Sequence, residues 1–221
     1  MSDARPPAAT VLVWDLPTRL FHWTLVLLVA IAWATGDGKG LLFVVHTLAG
    51  WGILVALLFR LAWGVIGGRH SRFGDFVRRW PAVRDHARGL LALRSPATLG
   101  HNPIGGWMIL ALLAVLAATV ATGLFAADDD IGGPWAAALP AAVAHAVAEV
   151  HEGLFNLLLV LIGIHVGGVV LDSLLTGHNL VRAMIDGRKP VAAAVAATVS
   201  GWRAVVTVAA AIAVVWLLAT L

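Results

Sequence analysis

The 221-residue chain is 60% hydrophobic and 12% charged, with a mean hydropathy of +0.91 and a formal charge of +3, a balance that excludes a soluble globular domain. It contains no cysteine, which excludes disulfides, thiolate-held iron–sulfur clusters and covalent C-x-x-C-H haem attachment. An isoelectric point near 10.5 does not require a nucleic-acid partner, because arginines that set membrane topology and meet anionic headgroups account for it.

A membrane-spanning helix needs about 20 mostly apolar residues, and five segments qualify, at 20–35, 41–66, 104–126, 144–175 and 204–221. Strands of a barrel would alternate polar and apolar residues, and these segments do not. The leader, with Trp14, Asp15 and Pro17, is unlike the compact basic start of a secretory signal. Cleavage after Ala30-Ile31-Ala32 would also remove His22, so the first span is expected to be retained. Residues 67–100 hold seven arginines with Phe73, Phe76 and Trp80, and an amphipathic surface helix is expected there rather than a folded domain. His101-Asn102-Pro103 opens the third span, and Asn before Pro is a helix-start signal. The histidines outside the spans, His70, His86, His145 and His178, are expected to be solvated. Trp14, Trp135 and Trp202, near helix ends, are expected to act as interfacial anchors. No Gly-rich phosphate loop occurs, and His151-Glu152 lacks the second histidine of a zinc-protease motif.

Basic residues mark cytoplasmic loops. Arg5 and Arg19 precede the first span, Arg60, Arg69, Arg72, Arg78, Arg79, Arg84, Arg88 and Arg94 end or follow the second, and Arg182, Arg188, Lys189 and Arg203 lie between the fourth and fifth. Lys39 and the acidic run Asp128, Asp129, Asp130 fall on the other side. The expected topology is therefore a cytoplasmic N terminus and, after five spans, an external C terminus.

With that topology the intramembrane histidines sort by depth. His46 and His151 lie near the outer ends of their helices and His22 near the inner end of the first. His165 lies fourteen residues after His151, about 21 Å deeper and on nearly the same helix face. Two level pairs result, His46 with His151 and His22 with His165. Each suits two neutral imidazoles on opposite faces of one haem, a low-spin arrangement for electron transfer with no site left for oxygen. Gly50 and Gly52 follow His46, and Gly163, Gly167 and Gly168 flank His165, as close approach of a flat macrocycle to a helix backbone requires, although small residues also serve ordinary helix packing.

Several ordered motifs add to this reading: Trp14-Asp15-Leu16-Pro17-Thr18-Arg19 leading to His22-Trp23, His46 through Gly50 and Arg60 to Trp63-Gly64, Gly100-His101-Asn102-Pro103-Ile104-Gly105-Gly106, the pair His151 and His165, and Asn179-Leu180-Val181-Arg182-Ala183-Met184 before Gly187-Arg188-Lys189. Over about residues 11–190 the chain resembles the bacterial cytochrome b561 superfamily, and more closely the di-haem cytochrome b subunits of nickel-iron hydrogenases and formate dehydrogenases. The resemblance implies an all-α integral membrane protein of the bacterial inner membrane. Its four-helix transmembrane bundle, within residues 1–190 and with an arginine-rich cytoplasmic loop at 67–102, would hold two noncovalent b haems. Residues 191–221, a linker and a fifth C-terminal transmembrane helix, depart from that pattern. The ligands it implies are His22, His46, His151 and His165. Arg19 is placed for a haem propionate or for topology alone. A quinone near the inner haem would meet the loop entering the third span, where Asn102 is suited to a quinone carbonyl or a plain helix cap, and His101 to proton transfer.

The function expected is electron transfer between the membrane quinone pool and a periplasmic redox partner: a hydrogenase small subunit, an iron–sulfur subunit or a cytochrome c. A stand-alone superoxide:quinone oxidoreductase is the first alternative, disfavoured by the acidic outer run. A haem-free membrane transporter is the second, disfavoured by the lack of midplane carboxylates.

Overall fold

Asp15 fixes where the first helix begins. Its carboxylate accepts the amide of Thr18 at 2.9 Å, an N-cap, and Pro17 in the first turn loses no intrahelical bond. Helix α1 accordingly runs Leu16–Thr35, starting four residues before the apolar run that predicts it. In the computed structural model, which describes residues 10–190 and 201–220, four further helices match the expected spans: α2 at Leu41–Ile66, α5 at Pro103–Phe125, α6 at Ala141–Thr176 and α8 at Gly201–Ala219. All five are long and apolar enough to cross a membrane, and the chain is a multi-pass membrane protein. Arg5, the expected linker at 191–200 and Leu221 lie outside the described residues.

Helices α1 and α2 form one antiparallel hairpin and α5 and α6 another. The hairpins meet through Ile53 and Leu57 of α2, Leu116 of α5 and Leu158 of α6, with Leu25 and Leu28 of α1 against them. Gly52 belongs to this packing rather than to a cofactor, since a Cβ there would lie 3.1 Å from Leu28 Cδ1. Helix α8 lies along α2, and Thr207, Ala211 and Val215, four residues apart, form its buried stripe. Helix α6 has 36 residues, about 54 Å against the ~30 Å of a hydrocarbon core. It therefore tilts or projects beyond the lipid.

One end of the bundle is capped by an arginine-rich layer, called the basic end; the other carries Asp128 to Asp130 and is called the acidic end. At the acidic end Lys39 pairs with Asp130, and the amides of Asp130 and Ile131 hold the exposed Asp128 carboxyl below the usual carboxylate range. The basic layer contains a single 3-10 turn at Arg69–Ser71, the short helices α3 at Phe73–Phe76 and α7 at Leu180–Asp186, and the amphipathic α4 at Trp80–Leu91. The surface helix expected in residues 67–100 is α4, yet the segment folds onto the bundle. His70 and His86 are buried, not solvated. Val83 and His86, one turn apart on α4, form its inner face, and the indole of Trp107 on α5 donates to the Arg78 carbonyl at 3.0 Å.

A second departure is a two-stranded antiparallel ribbon, β1 at Thr10–Leu12 with β2 at Arg188–Pro190. Gly187 makes it possible. Its φ of 80° suits glycine alone among common residues, its carbonyl accepts the amides of Val13 and Trp14 at 2.8 and 3.1 Å, and a Cβ there would strike the Trp14 carbonyl. Trp14 is consequently 4% exposed, a core residue and not the interfacial anchor expected of it.

Candidate functional site

At the acidic end the structure brings His46 of α2 and His151 of α6 together, with ring centroids 6.3 Å apart. Each imidazole is tied at Nδ1 to a carbonyl of the neighbouring helix: His46 to Ala32 at 2.9 Å, His151 to Thr119 at 2.8 Å. A carbonyl only accepts, so both rings carry the proton on Nδ1 and keep a lone pair on Nε2. This is the outer-sphere bond that orients a metal-ligating histidine. Two imidazoles on one metal, each at about 2 Å, stand roughly 6 Å apart centre to centre, which is the separation found. Glycine at 123 is required beside this pair, because a Cβ there would lie 2.8 Å from His151 Cε1. Among the described residues no three His, Asp or Glu side chains converge as a protein-only metal site needs. A pair of imidazoles alone suits an iron whose remaining ligands come from a macrocycle.

At the basic end His22 of α1 and His165 of α6 lie within electrostatic reach of one another, and the His22 ring meets Trp23 edge-on at 4.9 Å. Among the described residues the Nδ1 of His22 is buried with no partner, as is Nε of Arg19 one turn earlier. Arg19 Nη1 donates to the Ile185 carbonyl at 2.6 Å and the Trp23 indole to the Met184 carbonyl at 3.2 Å, so both also hold the end of α7. A Cβ added at Gly50, Gly163, Gly167 or Gly168 would meet nothing within 4 Å. These glycines, beside His46 and His165, line the helix surfaces a macrocycle would cover. The residues at both ends fit noncovalent haem.

Sequence reasoning passed over the polar cage beneath the basic-end pair. Asp15, 4% exposed, accepts from the Trp63 indole at 3.2 Å, the Gly68 amide at 3.2 Å and the Ser71 hydroxyl at 3.3 Å, in addition to its cap. Its cationic counterpart is Arg60, buried on α2 with its guanidinium 4.7 Å from the Phe73 ring centre. Lys189 of β2 is buried too, donating to the carbonyls of Thr98 and Gly100 at 3.2 Å each. An unpaired charge beside aromatic residues was the available signal; only the fold shows that Arg60 and Lys189 are inside.

Burial pushes the Lys189 ammonium down to about 8, with Asp172 acting in the opposite sense. The unfolded chain releases this proton near 10.4. The folded chain thus binds fewer protons between those values, and its stability rises with pH there. Thermal unfolding in detergent is expected to show a gain of up to ~3 kcal/mol from about pH 8 to about pH 10, a gain absent from Lys189→Met.

Two sequence-selected residues enter this cage. Asn102 accepts the Gly105 amide at 2.7 Å through Oδ1 and donates to Asp172 Oδ2 at 3.1 Å through Nδ2. Its amide is spent at both ends, on the cap and on α6, where Ser95 also donates to Asp172 at 2.6 Å. His101 lies between Trp14 and Phe76, ring centroids 4.5 and 4.7 Å away, with Nδ1 buried and unpartnered among the described residues. Burial, reinforced by Arg60, Lys189, His165 and His70, pushes its imidazolium down to about 3. His101 therefore stays neutral at physiological pH. Beside it opens a pocket of about 250 Å³ whose walls include His70, Asp75, Arg69, Arg78, Gly100 and His101.

Comparison with known proteins points to a membrane b-type cytochrome. Residues 13–187 match the family described as prokaryotic cytochrome b561. Two relatives named probable Ni/Fe-hydrogenase 1 B-type cytochrome subunit, from Escherichia coli strain K12 and from Escherichia coli O157:H7, are 34% identical over 42% of this chain and 49% of theirs. The chain thus matches about half the length of those two relatives. A probable Ni/Fe-hydrogenase B-type cytochrome subunit from Azotobacter chroococcum mcd 1 is 25% identical over 80% of this chain and 87% of that protein. No solved structure matches.

Proposed function

This chain belongs to the prokaryotic cytochrome b561 family, as a membrane b-type cytochrome of electron transfer, and we propose that it carries electrons across the membrane between an external redox protein and quinone through two haems. The observation that carries the proposal is the His46–His151 pair, whose Nδ1 atoms are both committed to carbonyls and whose rings stand at a bis-imidazole separation. His22 and His165 would hold the second haem, with the unpartnered Nε of Arg19 directed to a propionate. Haem so held supplies reversible one-electron chemistry on a low-spin iron. The protein fixes ring tautomers, spaces the two centres along α6 and excludes water with the α1–α2 and α5–α6 hairpins.

The arginine bias supports a basic end in the cytoplasm of a bacterial inner membrane, with the N terminus on that side and the C terminus outside. His46 and His151 then face the external partner. The names of the relatives favour a hydrogenase over another iron–sulfur subunit or a cytochrome c. Quinone would meet the pocket beside His101, a neutral hydrogen-bonding group, while Asn102 holds the loop in place through its cap and Asp172.

The purified chain is expected to give a b-type dithionite-reduced minus oxidised spectrum and two haems per chain by pyridine haemochrome. One haem per chain would remove the conduit, and no haem band would return the four histidines to packing or transport.

A further inference from the structure

The pocket beside His101 holds a second histidine that the electron path does not use. His70, in the 3-10 turn after α2, has its side chain 8% exposed and sets Nδ1 3.1 Å from Asp75 Oδ2. Asp75 on α3 is 25% exposed at its side chain and also lies 3.6 Å from Arg69. The pair thus reaches from the wet rim to the pocket wall. We propose that His70, oriented by Asp75, is the group that exchanges protons between water and the quinone in this pocket, and that His101 only hydrogen-bonds. The assignment rests on the quinone reading above.

A carboxylate accepts, so Asp75 fixes the hydrogen of His70 on Nδ1 and leaves Nε2 as the exchanging nitrogen; among the described residues Nε2 has no hydrogen-bond partner. Reduction of a quinone to a quinol takes two electrons, delivered singly from the basic-end haem, and two protons, one on each carbonyl oxygen. The imidazolium of His70 gives the Nε2 proton to the oxygen as negative charge gathers there, becomes neutral while Nδ1–H stays on Asp75, and is recharged from water at the rim for the second transfer. Oxidation of quinol runs the same steps backwards. His101 is less suited to this task, because Arg60 and Lys189 stand close to it and it touches Trp14 and Phe76 rather than a carboxylate. The charged and titratable groups around His70 are Asp75 and Arg69 on its own side, and Arg78 and His101 across the pocket. Arg60 and Lys189 stand behind His101.

The test uses the full haem-loaded chain in membranes, with stopped-flow haem reduction by a short-chain quinol between pH 5.5 and 8.5. The wild type is expected to slow on the acid side, because oxidation of quinol releases protons that a base in the pocket must take up. His70→Gln should be ~100-fold slower, lose that acid limb and recover in part with added imidazole, while its dithionite spectrum and haem content stay unchanged. Asp75→Asn keeps His70 but removes the carboxylate that fixes its Nδ1–H, so its rate should be ~10-fold slower and its acid limb displaced. A His70→Gln rate within twofold of wild type and with the limb intact overturns the assignment. Where His70→Gln loses haem, an unmoved limb in Asp75→Asn overturns it instead. A wild type whose haem dithionite reduces but quinol does not would overturn the quinone reading, and the assignment with it.

Discussion

A His151→Ala chain is expected to bind one haem, against the two expected of the wild type, and to lose at least 99% of electron transfer from an external donor to quinone. Removing His151 leaves His46 as a single ligand, and among the described residues no three His, Asp or Glu side chains converge there to replace the lost one. The cut also removes the 2.8 Å bond from His151 to the Thr119 carbonyl, which keeps the Thr122 hydroxyl at 2.9 Å. His22 and His165 lie near the opposite end of the bundle, so the remaining haem and the fold should persist. Haemochrome stoichiometry per chain reads the first part, and donor-driven reduction of the surviving haem reads the second. A His151→Ala chain that still carries two haems would sink the pairing.

Asp15→Ala should be the most destabilising single change outside the spans. The carboxylate terminates α1, holds the indole of Trp63, the amide of Gly68 and the hydroxyl of Ser71, and offsets the buried charge of Arg60. Its removal leaves buried donors unmet at ~1–3 kcal/mol each and a cation without compensation. Non-additivity within one cage caps the total at ~3–5 kcal/mol, or roughly 10 °C in a chain of this size. Asp15→Asn keeps one oxygen acceptor and should fall between. Thermal melting in detergent, followed by the haem band, distinguishes the three; equal melting points would show that the cage carries no load.

The spans were legible because the lipid requirement is one-dimensional: twenty apolar residues in a row are visible without knowing what they touch. That His46 and His151 share one level of the bundle was legible for the same reason, since helical rise turns sequence position into depth. What escaped was packing between segments far apart in sequence. His70 and His86 were placed in water because a loop with seven arginines reads as solvated, yet α4 is amphipathic and turns Val83 and His86 inward. Trp14 reads as an interfacial anchor by position, and only the ribbon between Thr10–Leu12 and Arg188–Pro190 explains why it is enclosed. Strands of three residues carry no periodic signal. Asn102 was ambiguous between cap and ligand, and its bond to Asp172, seventy residues away in sequence, was not visible in the local motif.

That ribbon also sets the order of events during synthesis. Leu12 pairs with Arg188, so a stretch made before the first span waits for one made after the fourth. At ~5–20 residues per second the delay is roughly 10–35 s, during which Leu12 has no strand partner and Trp14 lacks the carbonyl of Gly187. For that interval the basic end stands open, and if His22 and His165 hold a pigment there, its loading would have a window that closes when the last strand arrives.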